Sequence, residues 1–222
     1  MLNDTKERQR VYWRWIVQSF AVLVGASVIS LWLVGGLSPF SPFPSAFDQA
    51  HQALRSPQAD GSAESMAGMA VGFAIGLGAL LFMQWRRIRK MLKPVAVPAD
   101  ALLPRNRREA MIAAVLSLNA GFSEELFFRL ALPLLLLHLT GSLWIAFGVA
   151  GVCFGLAHAY QGWKGVLATM MAGGVLTLIY LSHGSLLRVM LIHAAIDIVA
   201  LLVRPAITEW LARRGRPEMA NA

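Results

Sequence analysis

The chain of 222 residues has one cysteine, Cys153, and only 12 acidic residues; charged residues of both signs make up 14% of it, against 57% hydrophobic. A single cysteine excludes a disulfide framework and a cysteine-based metal site, and within its apolar run Cys153 reads as a buried thiol. A soluble domain carries roughly a quarter charged residues. The shortage here, with a mean hydropathy of +0.57, excludes water as the main solvent. The net charge of +8 would suit a nucleic-acid binder, but the basic residues cluster at the ends of apolar runs: Lys6, Arg8, Arg10 and Arg14; Arg86, Arg87, Arg89, Lys90 and Lys93; Arg105, Arg107 and Arg108; Arg213, Arg214 and Arg216. That layout belongs to membrane orientation signals and anionic-lipid contacts, so the expected partner is a lipid bilayer and not nucleic acid.

What is present is a series of apolar runs, and these predict an all-α, polytopic transmembrane helical bundle of about six spans: 15–37, 65–85, 110–139, 143–160, 165–181 and 186–203. About 20 residues of helix cross a ~30 Å hydrocarbon core. The first run is too long, and lacks the small-residue cleavage site, to read as a cleaved signal peptide; it reads as a signal anchor. Residues 38–64, rich in Pro, Ser, Asp and Gln, predict an exposed extracytoplasmic loop, and the basic stretch 86–109 predicts a cytoplasmic linker. On this division 1–104 holds two N-terminal spans, 105–204 a helical core and 205–222 a basic cytoplasmic tail. It leaves 17 of the 20 Lys and Arg on the side of the termini, which places both ends in the cytoplasm. The third run has thirty residues, ~45 Å of straight helix, so a break, tilt or protrusion is expected, with Gly121 and Pro133 as the positions for it.

Six ionisable residues lie well inside apolar runs: Glu124, Glu125 and Arg129, then His158, then His193 and Asp197. An acid at a helix centre costs about 2.5–3.5 kcal/mol on insertion scales, so these groups require pairing, water access or a function. His138, His183 and Arg188 lie near run ends, where polar tips reach the interface, and are left out of the site. In EELFFR, 124–129, Glu125 and Arg129 share a helix face and can pair, whereas Glu124 points about 100° away. The alternative is a structural cluster in which both carboxylates share Arg129. In FGLAH, 154–158, Phe154 lies one turn before His158 and can limit its rotamers. In HAAID, 193–197, His193 and Asp197 share a face; the pair can ligate a metal, polarise a carbonyl, or serve only to orient the histidine. A free carboxylate, two imidazoles and another acid from three runs suit water activation and attack on a carbonyl.

EELFFR, FGLAH and HAAID, in that order on successive apolar segments, resemble the three signature motifs of the CAAX-processing and bacteriocin-processing (CPBP, or Abi) family of intramembrane proteases, which includes the type II CAAX prenyl endopeptidases. The resemblance covers about residues 105–204. It implies a helical bundle that cleaves peptide bonds of membrane-anchored or lipid-modified substrates. It also implies Glu124 as general base, His158 holding the water, Glu125 and Arg129 positioning the helix, and His193 with Asp197 stabilising the oxyanion. The last position is often Asn in that family. An aspartate donates a hydrogen bond only when protonated, and otherwise would fix the tautomer of His193.

The resemblance implies, as the favoured expectation, a metal-free glutamate protease with no cofactor. The alternative is a zinc site of His158, His193 and either Glu124 or Asp197, two imidazoles and a carboxylate with one open position. A non-catalytic scaffold or bacteriocin-immunity protein of the same fold is the rival reading. A proton-coupled transporter is disfavoured by small size and the lack of an inverted repeat. The short, Ala-rich chain points to a bacterial inner membrane.

Overall fold

The computed structural model describes residues 5–35, 43–55 and 103–214. The expected second span 65–85, most of the linker 86–109, and the tail beyond 214 lie outside them. Within the described residues every regular element is helical: α1 (Thr5–Val34), α2 (Asp48–Arg55), α3 (Arg107–Glu125), α4 (Leu132–Thr140), α5 (Leu143–Ala157), α6 (Gly162–His183), α7 (Leu186–Ile198) and α8 (Arg204–Arg214). By length and hydropathy, three helical stretches among these residues can cross a membrane, Thr5–Val34, Ala159–His183 and Leu186–Thr208, and Leu143–Ala157 is a shorter apolar helix.

Local sequence sets the joints. Asn106 caps α3: its side-chain oxygen accepts from the Glu109 N–H at 2.9 Å while its side-chain Nδ2 donates to Glu109 Oε1 at 3.1 Å, and Glu109 also accepts from the Arg105 backbone N–H at 3.0 Å. Two Gly-Ser pairs make the tight turns of the bundle. Gly141 (φ 66°) and Gly184 (φ 65°) end α4 and α6 in the left-handed conformation that glycine adopts without strain. Ser142 and Ser185 then cap α5 and α7 by accepting from Ile145 and Arg188 N–H groups.

Two π turns, Leu126–Ala131 and Val199–Val203, each end two residues before a proline, Pro133 and Pro205. A proline ring clashes with the carbonyl four residues back in a straight α-helix, and widening the preceding turn relieves the clash while keeping the helix running. Residues 107–140 therefore form one long helical rod that passes through Gly121 unbroken, and of the two expected positions it is Pro133 that alters the helix. Likewise the helix of the last apolar run does not stop at Val203 but continues to Arg214.

Contacts fix the directions. Arg8 meets Glu109, Ser19 meets Asn119 and Phe20 stacks on Phe122, so α1 and α3 run parallel. The rod's excess length lies at its start, alongside the charged first turns of α1. α5 antiparallels the rod through Phe154 on Phe128, and α7 through Met190 and Ala194 on Gly121. With no water to drive helices together inside lipid, small residues permit the close packing. A Cβ at Gly121 would stand 2.6 Å from the Met190 carbonyl oxygen, and one at Gly173 would stand 2.7 Å from Phe154.

Within the stretch expected to be an exposed loop, Ser45–Phe47 is a 3-10 turn leading into α2, and Phe47 is fully buried. It packs at the C-terminal ends of α1 and α6 against Leu31, Phe147, Tyr180 and Leu181. His51 Nδ1 caps the Leu181 carbonyl at 2.6 Å. Leu103, by contrast, accepts from Arg8 at the other end of α1, about 35 Å away at 1.5 Å per residue.

Candidate active site

Three elements deliver the polar groups. α3 and its following π turn carry Glu124, Glu125 and Arg129. The C-cap of α5 is His158, and α7 carries His193 and Asp197. Gly121 lets α3 and α7 touch, and that contact brings Glu125 to His193: Nδ1 of the imidazole donates to Oε1 of the carboxylate at 2.5 Å, with both side chains buried. The same Oε1 lies 2.9 Å from Arg129 Nη1. The guanidinium also donates to the Gly173 carbonyl at 3.3 Å and lies over the Phe154 ring, 4.1 Å from its centre. Glu125, Arg129 and His193 thus form one buried, charge-paired unit joining α3, α6 and α7.

Glu124 stands apart from that unit. Its Oε2 is buried without a hydrogen-bond partner among the described residues and faces His158 Nε2 at 3.7 Å. His158 Nδ1 donates to the Phe154 carbonyl at 2.9 Å, so in the neutral ring the proton is on Nδ1 and Nε2 presents a lone pair. Phe154 lies beside both imidazoles, tilted at 4.9 Å from His158 and edge to face at 5.9 Å from His193 between ring centres. Asp197 Oδ2 lies 3.8 Å from His193 Nε2, beyond hydrogen-bond reach, and its side chain is 32% exposed.

All six residues singled out in the sequence therefore meet in one place. His158, the C-cap of α5, stands beside Glu124 without a break in the rod. The carboxylates do not share Arg129, since only Glu125 pairs with it. The group that fixes the His193 tautomer is Glu125, 68 positions away in sequence, rather than Asp197 one turn along its own helix. Among the described residues no group of three His, Cys, Asp or Glu is arranged to hold a metal ion.

Residues 106–199 match the sequence model of the type II CAAX prenyl endopeptidase Rce1-like family. That segment is similar to the type II CAAX prenyl endopeptidases. The matched segment starts at the cap of α3 and ends just past Asp197, so it contains the whole polar constellation and leaves out α1 and α2. The three helical stretches long and apolar enough to cross a membrane support an integral membrane protein. No curated protein and no solved structure matched the chain.

The sequence reading missed the partnership of Glu125 with His193, and nothing in either motif signals it. The only hint lies in two small residues, Gly121 one turn before Glu125 and Ala194 next to His193.

Proposed function

We propose that this protein is an intramembrane endopeptidase that hydrolyses a peptide bond of a membrane-anchored or lipidated protein or peptide, with Glu124 activating water and no metal ion taking part. The observation that carries this reading is the Glu124 and His158 pair: two polar atoms 3.7 Å apart, too far to bond each other and close enough to hold one water between them. His158 is held in the tautomer whose Nε2 accepts a hydrogen bond from that water. Glu124 takes the other proton as the water oxygen attacks the carbonyl carbon, and returns it to the amide nitrogen as the C–N bond breaks. His193, its Nδ1 fixed by Glu125, presents Nε2 to the developing oxyanion and donates when the ring is protonated. Asp197 in its acid form adds a second donor. Arg129 compensates the Glu125 charge so that His193 retains its orientation.

The proposal includes six spans with both termini in the cytoplasm of a bacterial cell. The parallel run of α1 and α3 supports it, because the chain between Arg55 and Leu103 must return from one end of α1 to the other.

The test uses the full chain in lipid vesicles with two fluorogenic peptides, a farnesylated one ending in Cys-aliphatic-aliphatic-X and a non-prenylated hydrophobic one. Cleavage that disappears in Glu124→Gln and persists in 1,10-phenanthroline is expected. Cleavage undiminished in Glu124→Gln overturns the reading in favour of a non-catalytic scaffold. Cleavage lost to the chelator and restored by zinc would assign the site to His158, His193 and Glu124 around a metal.

A further inference from the structure

α1 lies outside the family-matched segment, yet it reaches the site. Its register against α3 is locked at two heights. Below, Arg8, 3% exposed, pairs with the buried Glu109 at 3.2 Å and donates to the Leu103 carbonyl. Above, Asn119 donates to Ser19 Oγ at 2.8 Å and Phe20 stacks on Phe122. Trp15 lies between these fixed points. Its indole meets the Tyr160 ring edge to face, 5.3 Å between centres at 79°. Tyr160 in turn lies 5.9 Å from the His158 ring at 32°, and is within electrostatic reach of Glu124 and Asp197. Gln161 donates to its hydroxyl at 3.1 Å, which ties the phenol to the 3-10 turn after His158.

His158 is thus flanked by two aromatic rings with different footing. Phe154 belongs to its own helix. Tyr160 belongs to a three-residue turn, Ala159–Gln161, in which none of the residues is fully buried, and a short turn of this kind does not hold a side chain by itself. Besides the Gln161 amide at its hydroxyl, the contact that reaches the ring from another helix is the indole of α1. The geometry points to Trp15, acting through Tyr160, as a positioning residue that sets the orientation of the His158 imidazole opposite Glu124. The inference rests on the reading of His158 as one half of the water-holding pair.

The experiment has an arm that needs no substrate. The full chain, labelled with 15N-histidine in lipid nanodiscs, gives ring resonances for His158, assigned by their loss in His158→Gln. Trp15→Leu, which keeps apolar bulk for the bilayer, and Tyr160→Leu as an independent variant are expected to shift the His158 resonances. Trp15→Phe should restore them. Trp32→Ala, at the exposed far end of α1, should leave them in place. On the farnesylated peptide, Trp15→Leu is expected to lower kcat about two- to tenfold, the worth of one aromatic pair, with KM unchanged and recovery in Trp15→Phe. An unmoved His158 signal in both leucine variants overturns the inference, as does a loss confined to KM. Glu124→Gln run beside them separates the two failures: full turnover there sinks the catalytic reading, whereas an inactive Glu124→Gln with a fully active Trp15→Leu sinks only this role for Trp15.

Discussion

At the far end of the bundle Phe47, Tyr180, Leu130 and Val189 close an apolar core of buried side chains. A few residues along the same rod Glu125 and Arg129, no more exposed than these, meet His193 in a polar core in which Glu124 Oε2, Glu125 Oε2 and Arg129 Nη1 have no aligned hydrogen-bond partner among the described residues. The π turn feeds both regions, sending Leu126, Leu130 and Ala131 to the apolar cluster and Arg129 to the polar one. The difference teaches where the molecule is finished and where it is left open. A core that only has to hold together leaves no buried polar atom unmatched, and atoms left unmatched in a low-dielectric interior mark a place prepared for water and substrate.

Arg129→Met is expected to break this contrast most strongly. It leaves Glu125 as a buried, uncompensated charge and should lower stability by about 3–5 kcal/mol, read as a fall in the denaturant midpoint in mixed micelles. Phe47→Ala attacks the other region: an aromatic truncation in a filled core costs about 3 kcal/mol, while turnover per folded molecule should stay unchanged, because Phe47 touches none of the polar groups. Gly121→Ala sits between the two. The new methyl meets the Met190 carbonyl and Ala194 and should cost about 1–3 kcal/mol, with a weakened Glu125 to His193 bond visible in the His193 ring resonances. The smallest effect lies outside both regions, at the foot of α3. Burial of Glu109 alone would raise its pKa, but the Arg105 N–H and Arg8 more than offset this and hold it below the ordinary value. Its contribution to stability is therefore present above the usual glutamate value of ~4.3 and lost as pH falls through the lower folded-state value. Glu109→Gln should flatten that acid limb of the unfolding midpoint against pH.

Much of the site was legible because charge inside an apolar run is costly, so Glu124, Glu125, Arg129, His158, His193 and Asp197 stood out residue by residue. Their pairing was less legible. Spacing of four suggests a pair within a helix, correct for Glu125 and Arg129, but it pointed to Asp197 for His193, whereas the closer partner comes from another helix. Gly121, one of two positions offered for a break, tilt or protrusion, is a contact point, since a missing Cβ reads the same in either use. Phe47 sat in a Pro- and Ser-rich stretch whose composition says loop; only the cavity between α1, α5 and α6 decides that its ring is core. The π turns had a readable signal in Pro133 and Pro205 that periodicity alone does not weigh, and the tie from Trp15 to Tyr160 joins positions too far apart for any local pattern.

The claim that Glu124 activates water is tested most directly by comparing protein termini, by mass spectrometry, in membrane and secreted fractions of cells producing the intact chain or Glu124→Gln at equal abundance. The account predicts a set of new termini that vanishes with the substitution, and these would name the substrate as well. Identical sets of termini from the two strains would contradict it.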